Sequence, residues 1–127
     1  MITQKRQFGD LGEKIAKKYL EKHGYAIIDQ NYSKRWGEID LIVESQEKEL
    51  VFVEIKTRET NNIPSAFLPE DSVNFSKQKK IIKTAQTFLY ENKCFDDTSW
   101  RIDVIAIEID KTTRKATIRH LKNAIEM

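Results

Sequence analysis

Two stretches of the chain alternate apolar and polar side chains with a period of two, the pattern of half-buried strands, on either side of a short polar turn. In the first, Ile39, Leu41 and Val43 share one side while Glu38, Asp40 and Ile42 share the other. In the second, Val51, Val53 and Ile55 oppose Leu50, Phe52, Glu54 and Lys56. The turn Ser45-Gln46-Glu47-Lys48-Glu49 is too short for a parallel crossover, so the pair is predicted to be an antiparallel hairpin. Burying the apolar side selects the register: Glu44 faces Leu50, Val43 faces Val51, Leu41 faces Val53 and Ile39 faces Ile55. The other side then sets Ile42 across from Phe52, Asp40 across from Glu54, and Glu38 across from Lys56.

The remaining pattern builds two helices and three more strands. Residues 8–23 carry Phe8, Leu11, Ile15 and Tyr19 as one helical stripe, widened by Ala16 and Leu20, and Gly24 is a natural stop. Glu13 falls at the edge of this stripe, beside Leu20. Residues 25–31 read as a first strand with Ile27 and Ile28 inside, and 33–37 as a loop into the hairpin. An irregular stretch, 59–74, holds both prolines, and a segment of that length often carries function. A second helix follows over 76–92, with Ser76 as N-cap and Ile81, Ile82, Ala85, Phe88 and Leu89 inward. Residues 100–109 are apolar on both sides, as a central strand requires, with Asp103 in a hydrogen-bonded structural role. A last strand covers 115–122. Helix, three strands, helix and two strands make an α/β layout, a mixed sheet with helices on its faces, within a single domain of 127 residues.

Composition sharpens this less than distribution does. At 39% hydrophobic and 33% charged, the chain can build a core under a well-solvated exterior, and a net charge of +2 does not by itself announce a polyanion binder. Yet Lys77, Lys79, Lys80 and Lys83 crowd the first two turns of the second helix, where they oppose its macrodipole. A nucleic-acid partner accounts for that placement; a solvated lysine-rich helix is the competing account. Lys34 and Arg35 beside Trp36 suit phosphate contact and base stacking, unless Trp36 merely caps the core. A lone cysteine, Cys94, rules out an intramolecular disulfide, and with two histidines a zinc site is improbable. No apolar run approaches a membrane span and no apolar signal region follows the amino terminus, so the expected location is cytoplasmic, with no membrane partner.

The chemistry concentrates on the hairpin. Two carboxylates directly across a ladder repel each other, and a sheet selected for stability alone avoids them. A divalent cation reverses the sign of that interaction, and a hard ion such as Mg²⁺ accepts one or two carboxylates with water and phosphate around it. Lys56 points the same way as Glu54. Charges on an exposed strand are ordinarily solvated surface, but an Asp followed by Glu-x-Lys on the next strand, in matching parity, marks Asp40, Glu54 and Lys56 as candidates. Glu13 joins them if the first helix lies on the sheet.

Spaced blocks carry a resemblance over nearly the whole chain: Gly12-Glu13, Tyr19-Leu20, Gly24-Tyr25, Asn31, Gly37-Glu38-Ile39-Asp40-Leu41-Ile42, Val51 through Arg58, and Arg101-Ile102-Asp103-Val104. Together they resemble the YraN-like family of predicted endonucleases, itself similar to the PD-(D/E)xK nuclease superfamily and to archaeal Holliday-junction resolvases. The resemblance implies a restriction-endonuclease-like core and a metal-dependent endonuclease that hydrolyses DNA phosphodiester bonds, with branched or structured DNA as a candidate substrate. It assigns Asp40 as the motif aspartate, Glu54 and Lys56 as the Glu-x-Lys, and Glu13 as an extra acid. Glu13, Asp40, Glu54 and the Ile55 carbonyl would then hold Mg²⁺ or Mn²⁺, and Glu38 would position Lys56. Lys34, Arg35, Trp36, Arg58, Lys77 and Lys80 would grip the nucleic acid, and a homodimer follows by analogy. The motif proline is absent, since Ile39 precedes Asp40, and Ile102 and Ile125 stand where the family tends to carry Phe. A rival reading is a nucleic-acid-binding adaptor with little or no catalysis. A nucleotide hydrolase fits less well, for want of a Gly-rich phosphate loop.

Overall fold

Five strands lie side by side in chain order: β1 (Ala26–Lys34), β2 (Gly37–Glu44), β3 (Leu50–Thr60), β4 (Trp100–Asp110) and β5 (Ala116–Leu121). This is a computed structural model describing residues 4–60, 68–94 and 97–126. All neighbours are antiparallel except β3 and β4, which run parallel. Parallel neighbours need a crossover. Here it contains a 3-10 turn (Pro69–Ser72) and helix α2 (Phe75–Glu91), while helix α1 (Gln4–Lys22) precedes the sheet. The result is a mixed α/β sheet, consistent with a restriction-endonuclease-like core.

Each face of the sheet has its own core. On one, Ile42, Leu50, Phe52, Ile102 and Val104 pack with Ile81, Ala85, Phe88 and Leu89 of α2. On the other, Leu41, Val43, Val51, Val53, Ile105 and Ile107 pack with Ala16 and Leu20 of α1. Burial on both sides is why β3 and β4 read as nearly continuous apolar runs. Ile102 and Ile125 both join the α2 side. Among the described residues, no helix is long and apolar enough to cross a membrane.

The hairpin register holds from Glu44↔Leu50 through Leu41↔Val53 and goes no further. Ile39 does not share a side with Leu41 and Val43: it packs with Ile42 and Phe52 on the α2 face. The alternation breaks at Asp40. On β1, Asn31 has φ 53° while the pairing keeps one register from Gln30↔Leu41 to Tyr32↔Ile39. Asn tolerates this left-handed backbone better than most residues.

Other expectations are corrected for local reasons. Ile28 is 49% exposed, because a register shift between Ile27 and Asp29 leaves it without a ladder partner. Lys34 pairs with Gly37, so the predicted loop shrinks to the turn Arg35-Trp36. Leu11 is exposed, because α1 presents Gly12, Ala16 and Leu20 to the sheet in its place. The N-cap of α2 is Asn74, not Ser76: its side chain accepts the Lys77 N–H at 2.9 Å and makes Phe75 the first helical residue. Of the irregular stretch, residues 59–60 extend β3 and 61–67 lie outside the described residues.

Candidate active site

Below Leu41↔Val53 the ladder between β2 and β3 ends, and polar side chains fill the opening. Asp40 bridges it: its Oδ2 accepts the Ile55 N–H at 2.7 Å, so a side chain occupies the position of a missing ladder partner. This bond ties Asp40 to the Glu54–Ile55 peptide, between the two charged side chains of Glu54 and Lys56. Asp40 borders both clefts that meet here. Toward α1 it lies with Glu13, Asn31, Glu38, Ile55 and Lys56 along a groove of about 1090 Å³. Toward α2 it lies with Glu54, Lys56, Lys77 and Lys80.

Glu13 reaches this groove because of the residue before it. A Cβ on Gly12 would stand 1.9 Å from Thr57 Oγ1 and 2.9 Å from Thr57 Cβ, so only glycine lets α1 settle this closely onto β3. Gly37 performs the same service on the other face, where a Cβ would meet Thr84 Oγ1 at 2.6 Å and the Lys80 carbonyl at 3.3 Å. This close approach seats the start of β2 against α2.

The electrostatics are uneven. Burial, and next the charge of Glu54, push the Asp40 carboxyl up to about 7, with Glu38 and Glu13 adding to the effect and the Ile55 N–H opposing it. Burial also raises Glu13, against a hydrogen bond with Asn31. Glu54 is only 6% exposed, and its Oε1 lies 3.4 Å from Lys56 Nζ and 3.2 Å from Lys77 Nζ. Burial and the neighbouring Lys77 ammonium lower Lys56, while Glu54 opposes them.

The structure thus brings Asp40, Glu54, Ile55, Lys56 and Glu38 to the α2-side cleft, while Glu13 lines the α1-side groove with Asp40, Glu38, Ile55 and Lys56 but without Glu54. Lys56 pairs with Glu54, and Glu38 stays exposed at the rim. The cationic candidates divide. Lys77 and Lys80 line the α2 side of the opening, and Arg58 borders the α1-side groove with its guanidinium 2.9 Å from Glu108. Lys34 is held 2.7 Å from Glu91, and Arg35 is exposed on the β1–β2 turn. Trp36 has the Lys83 ammonium 4.5 Å over its ring and a buried indole N–H with no hydrogen-bond partner among the described residues. Two features escaped the sequence pattern: Asn31 as the hydrogen-bonding neighbour of Glu13, and Lys77 as a partner of Glu54. A left-handed Asn has no period to betray it, and Lys77 meets Glu54 only once α2 is packed across the sheet.

Among the described residues, no three Asp, Glu, His or Cys side chains converge on a single point. A cation here would rest on Asp40 and Glu54 and take most of its shell from water, a sparse oxygen set that Mg²⁺ accepts and Zn²⁺ does not favour.

Residues 12–107 match the profile of the uncharacterised protein family UPF0102. This chain belongs to UPF0102. A UPF0102 protein of Clostridium beijerinckii is 38% identical over 96% of this chain and 95% of its own length. Another, from Vibrio parahaemolyticus, is 43% identical over 84% of each. The UPF0102 match spans the whole cluster, from Gly12 and Glu13 through Asp40 and Lys56 to Lys80. Among solved structures, Pyrococcus furiosus SfsA in complex with Ca²⁺ is similar at a TM-score of 0.42 and 15% identity, over 97% of this chain and 65% of that one.

Proposed function

We propose that this UPF0102 chain is a metal-dependent nuclease that hydrolyses phosphodiester bonds of DNA, with branched or structured DNA as its substrate class. The observation that carries the reading is the company Asp40 keeps: it shares a cleft with Glu54, Glu38 and Lys56, and burial and the charge of Glu54 push its carboxyl up to about 7. Repulsion of that kind weakens a fold unless a cation is meant to relieve it. Asp40 and Glu54 would hold Mg²⁺ or Mn²⁺, with the Ile55 carbonyl and water as further oxygens; Glu13, across in the α1-side groove, would reach the ion through water. When bound, the ion supplies a water of lowered pKa and neutralises charge on the scissile phosphate.

The chain's own groups do the rest. The Ile55 N–H holds Asp40 in place, and Glu54 holds the Lys56 ammonium beside it, aimed at the opening. From there Lys56 orients the attacking water and stabilises the negative charge that develops on the phosphate. Lys77 and Lys80 on the rim, with Arg35 on the nearby turn, contact the sugar-phosphate backbone without reading bases.

The test pairs branched, single-stranded and duplex DNA and RNA with Mn²⁺ or EDTA, beside Asp40→Ala and Lys56→Ala. Cleavage that needs Mn²⁺ and falls on the order of 10³-fold in each variant supports the nuclease. Glu54 offers one observation for the adaptor, since two lysines already balance it without an ion. Tight, salt-sensitive binding with no cleavage in any metal would decide for the adaptor.

A further inference from the structure

Glu54 holds more positive charge than it needs. Its buried carboxylate brings Oε1 within 3.4 Å of Lys56 and 3.2 Å of Lys77. A divalent ion arriving at this carboxylate meets two ammonium groups already there, and like charges at such separations repel strongly in a partly desolvated site. One of them has to give way.

The two lysines are not equally free to leave. Lys56 stands on β3, two residues from Glu54 and on the same side of the strand, with its side chain 22% exposed. Lys77 crosses from α2 to the far side of the opening and is 38% exposed. Its backbone is fixed by the Asn74 cap, so only its flexible stem need rotate. Turned outward, its ammonium stays on the rim it shares with Lys80 and Gly37, where a DNA phosphate entering from the α2 side would pass.

We infer that Lys77 is a displaceable stand-in for the metal: it neutralises Glu54 in the ion-free protein, is released when a divalent cation binds, and then holds a phosphate of the DNA. The inference rests on the nuclease reading and names a role for Lys77 within it. In this role Lys77 both restrains metal binding and couples it to substrate binding. Losing it should improve the first and harm the second, which no merely structural lysine would do.

The measurement is a Mn²⁺ titration followed by electron paramagnetic resonance and calorimetry, on the wild type, Lys77→Met and Lys80→Met. Lys80 is the control, because it removes the same charge from the same rim without an ion pair to Glu54. Lys77→Met should bind Mn²⁺ roughly fivefold or more tightly, and Lys80→Met less than about twofold. In Ca²⁺, binding of a short DNA duplex should weaken about three- to tenfold in Lys77→Met. Lys77→Gln carries the same expectations should the methionine variant fold poorly. Unchanged or weaker Mn²⁺ binding in Lys77→Met overturns the inference and leaves the nuclease reading standing. So does an equal gain in Lys80→Met, which would reduce the effect to bulk charge. A wild type that binds no Mn²⁺ takes both down.

Discussion

Two aspartates of the same sheet are withdrawn from water, and they are treated in opposite ways. Asp103 on β4 is fully buried and fully partnered. Its Oδ1 accepts from Arg101 Nε at 2.9 Å and from the Asn123 N–H at 2.8 Å, and its Oδ2 pairs with His120 Nε2 at 2.7 Å. Arg101 is itself anchored by Glu49 at 2.6 Å and by the Tyr25 hydroxyl. Burial alone would push the Asp103 carboxyl up, but hydrogen bonds from His120, Arg101 and Asn123 outweigh it and hold the group below its ordinary range. Among the described residues Asp40 has one hydrogen bond, from Ile55, and acids among its neighbours, and it is driven the other way. One cluster is finished by the fold and the other is left open. That difference, more than burial or residue type, separates the two acids: one serves architecture, and on the nuclease reading the other awaits a ligand.

Truncation should therefore act with opposite sign on the two. Asp103→Ala strips the partner from a half-buried arginine and histidine, and should cost about 3 kcal/mol of unfolding free energy. Asp40→Asn keeps an acceptor for the Ile55 N–H while removing the charge, and should stabilise the ion-free protein by about 3 kcal/mol at pH 8. The pH profiles should diverge as well. Because the folded protein holds the Asp40 proton up to about 7 and the unfolded chain releases it near 3.8, ionisation of Asp40 subtracts stability as pH rises between those values. The Asp40→Asn gain should thus vanish near pH 4. Asp103 adds stability above its ordinary 3.8, lost only as pH falls through its lowered folded value. Urea titrations of both variants from about pH 2.5 to pH 8 check all of this; a destabilised Asp40→Asn at pH 8 would dissolve the contrast.

An ion should erase the contrast from the other direction. At a hundredfold excess over its dissociation constant, Mg²⁺ or Mn²⁺ should stabilise the wild type by about 2.7 kcal/mol. Thermal melts should show that gain in the wild type and in proteins altered away from the opening, but not in Asp40→Asn. If the ions raise both melting temperatures alike, they act elsewhere on the surface.

How much of this could be read in advance depends on which physical signal each residue leaves. The hairpin was legible from Leu41 to Glu44 because apolar alternation and a short turn admit one register, and that register brings Asp40 and Glu54 to the same opening. The reading failed first at Ile39, which lies beyond the end of the β2–β3 ladder at Leu41 and packs on the α2 face. It failed again at Ile28, where a register shift frees an apolar side chain to face solvent. Asp103 was legible as structural, since a lone acid in a run of isoleucines and valines must find partners. Its partners on β5 and beyond were not. Glu13 could be placed on the edge of its helix, but whether that edge meets the sheet depends on how α1 is rotated, and the pattern of large apolar residues pointed to Leu11 in place of Gly12. Small residues at an interface leave little hydropathy signal, though they decide how closely two elements pack.

Gly12 offers the finest test of the comparison, because it acts on the open cluster without touching an acid. A Cβ added there would lie 1.9 Å from Thr57 Oγ1, 2.9 Å from Thr57 Cβ and 3.0 Å from Thr57 Cγ2. A hydroxyl can rotate aside, but the branched carbon skeleton of Thr57 sits on β3 next to Lys56 and cannot retreat without the strand. The helix must lift instead, and overpacking of this kind should make Gly12→Ala cost about 2 kcal/mol. Lifting α1 would also draw Glu13 away from the opening, so the Mn²⁺ stabilisation of Gly12→Ala should shrink. In a Thr57→Ala background only the Cβ contact remains, and the penalty should drop by about 1 kcal/mol as a coupling energy in the double-mutant cycle. Strictly additive variants would mean that α1 is held off β3 by something other than this contact, and that Glu13 owes its place beside Asp40 to a different constraint.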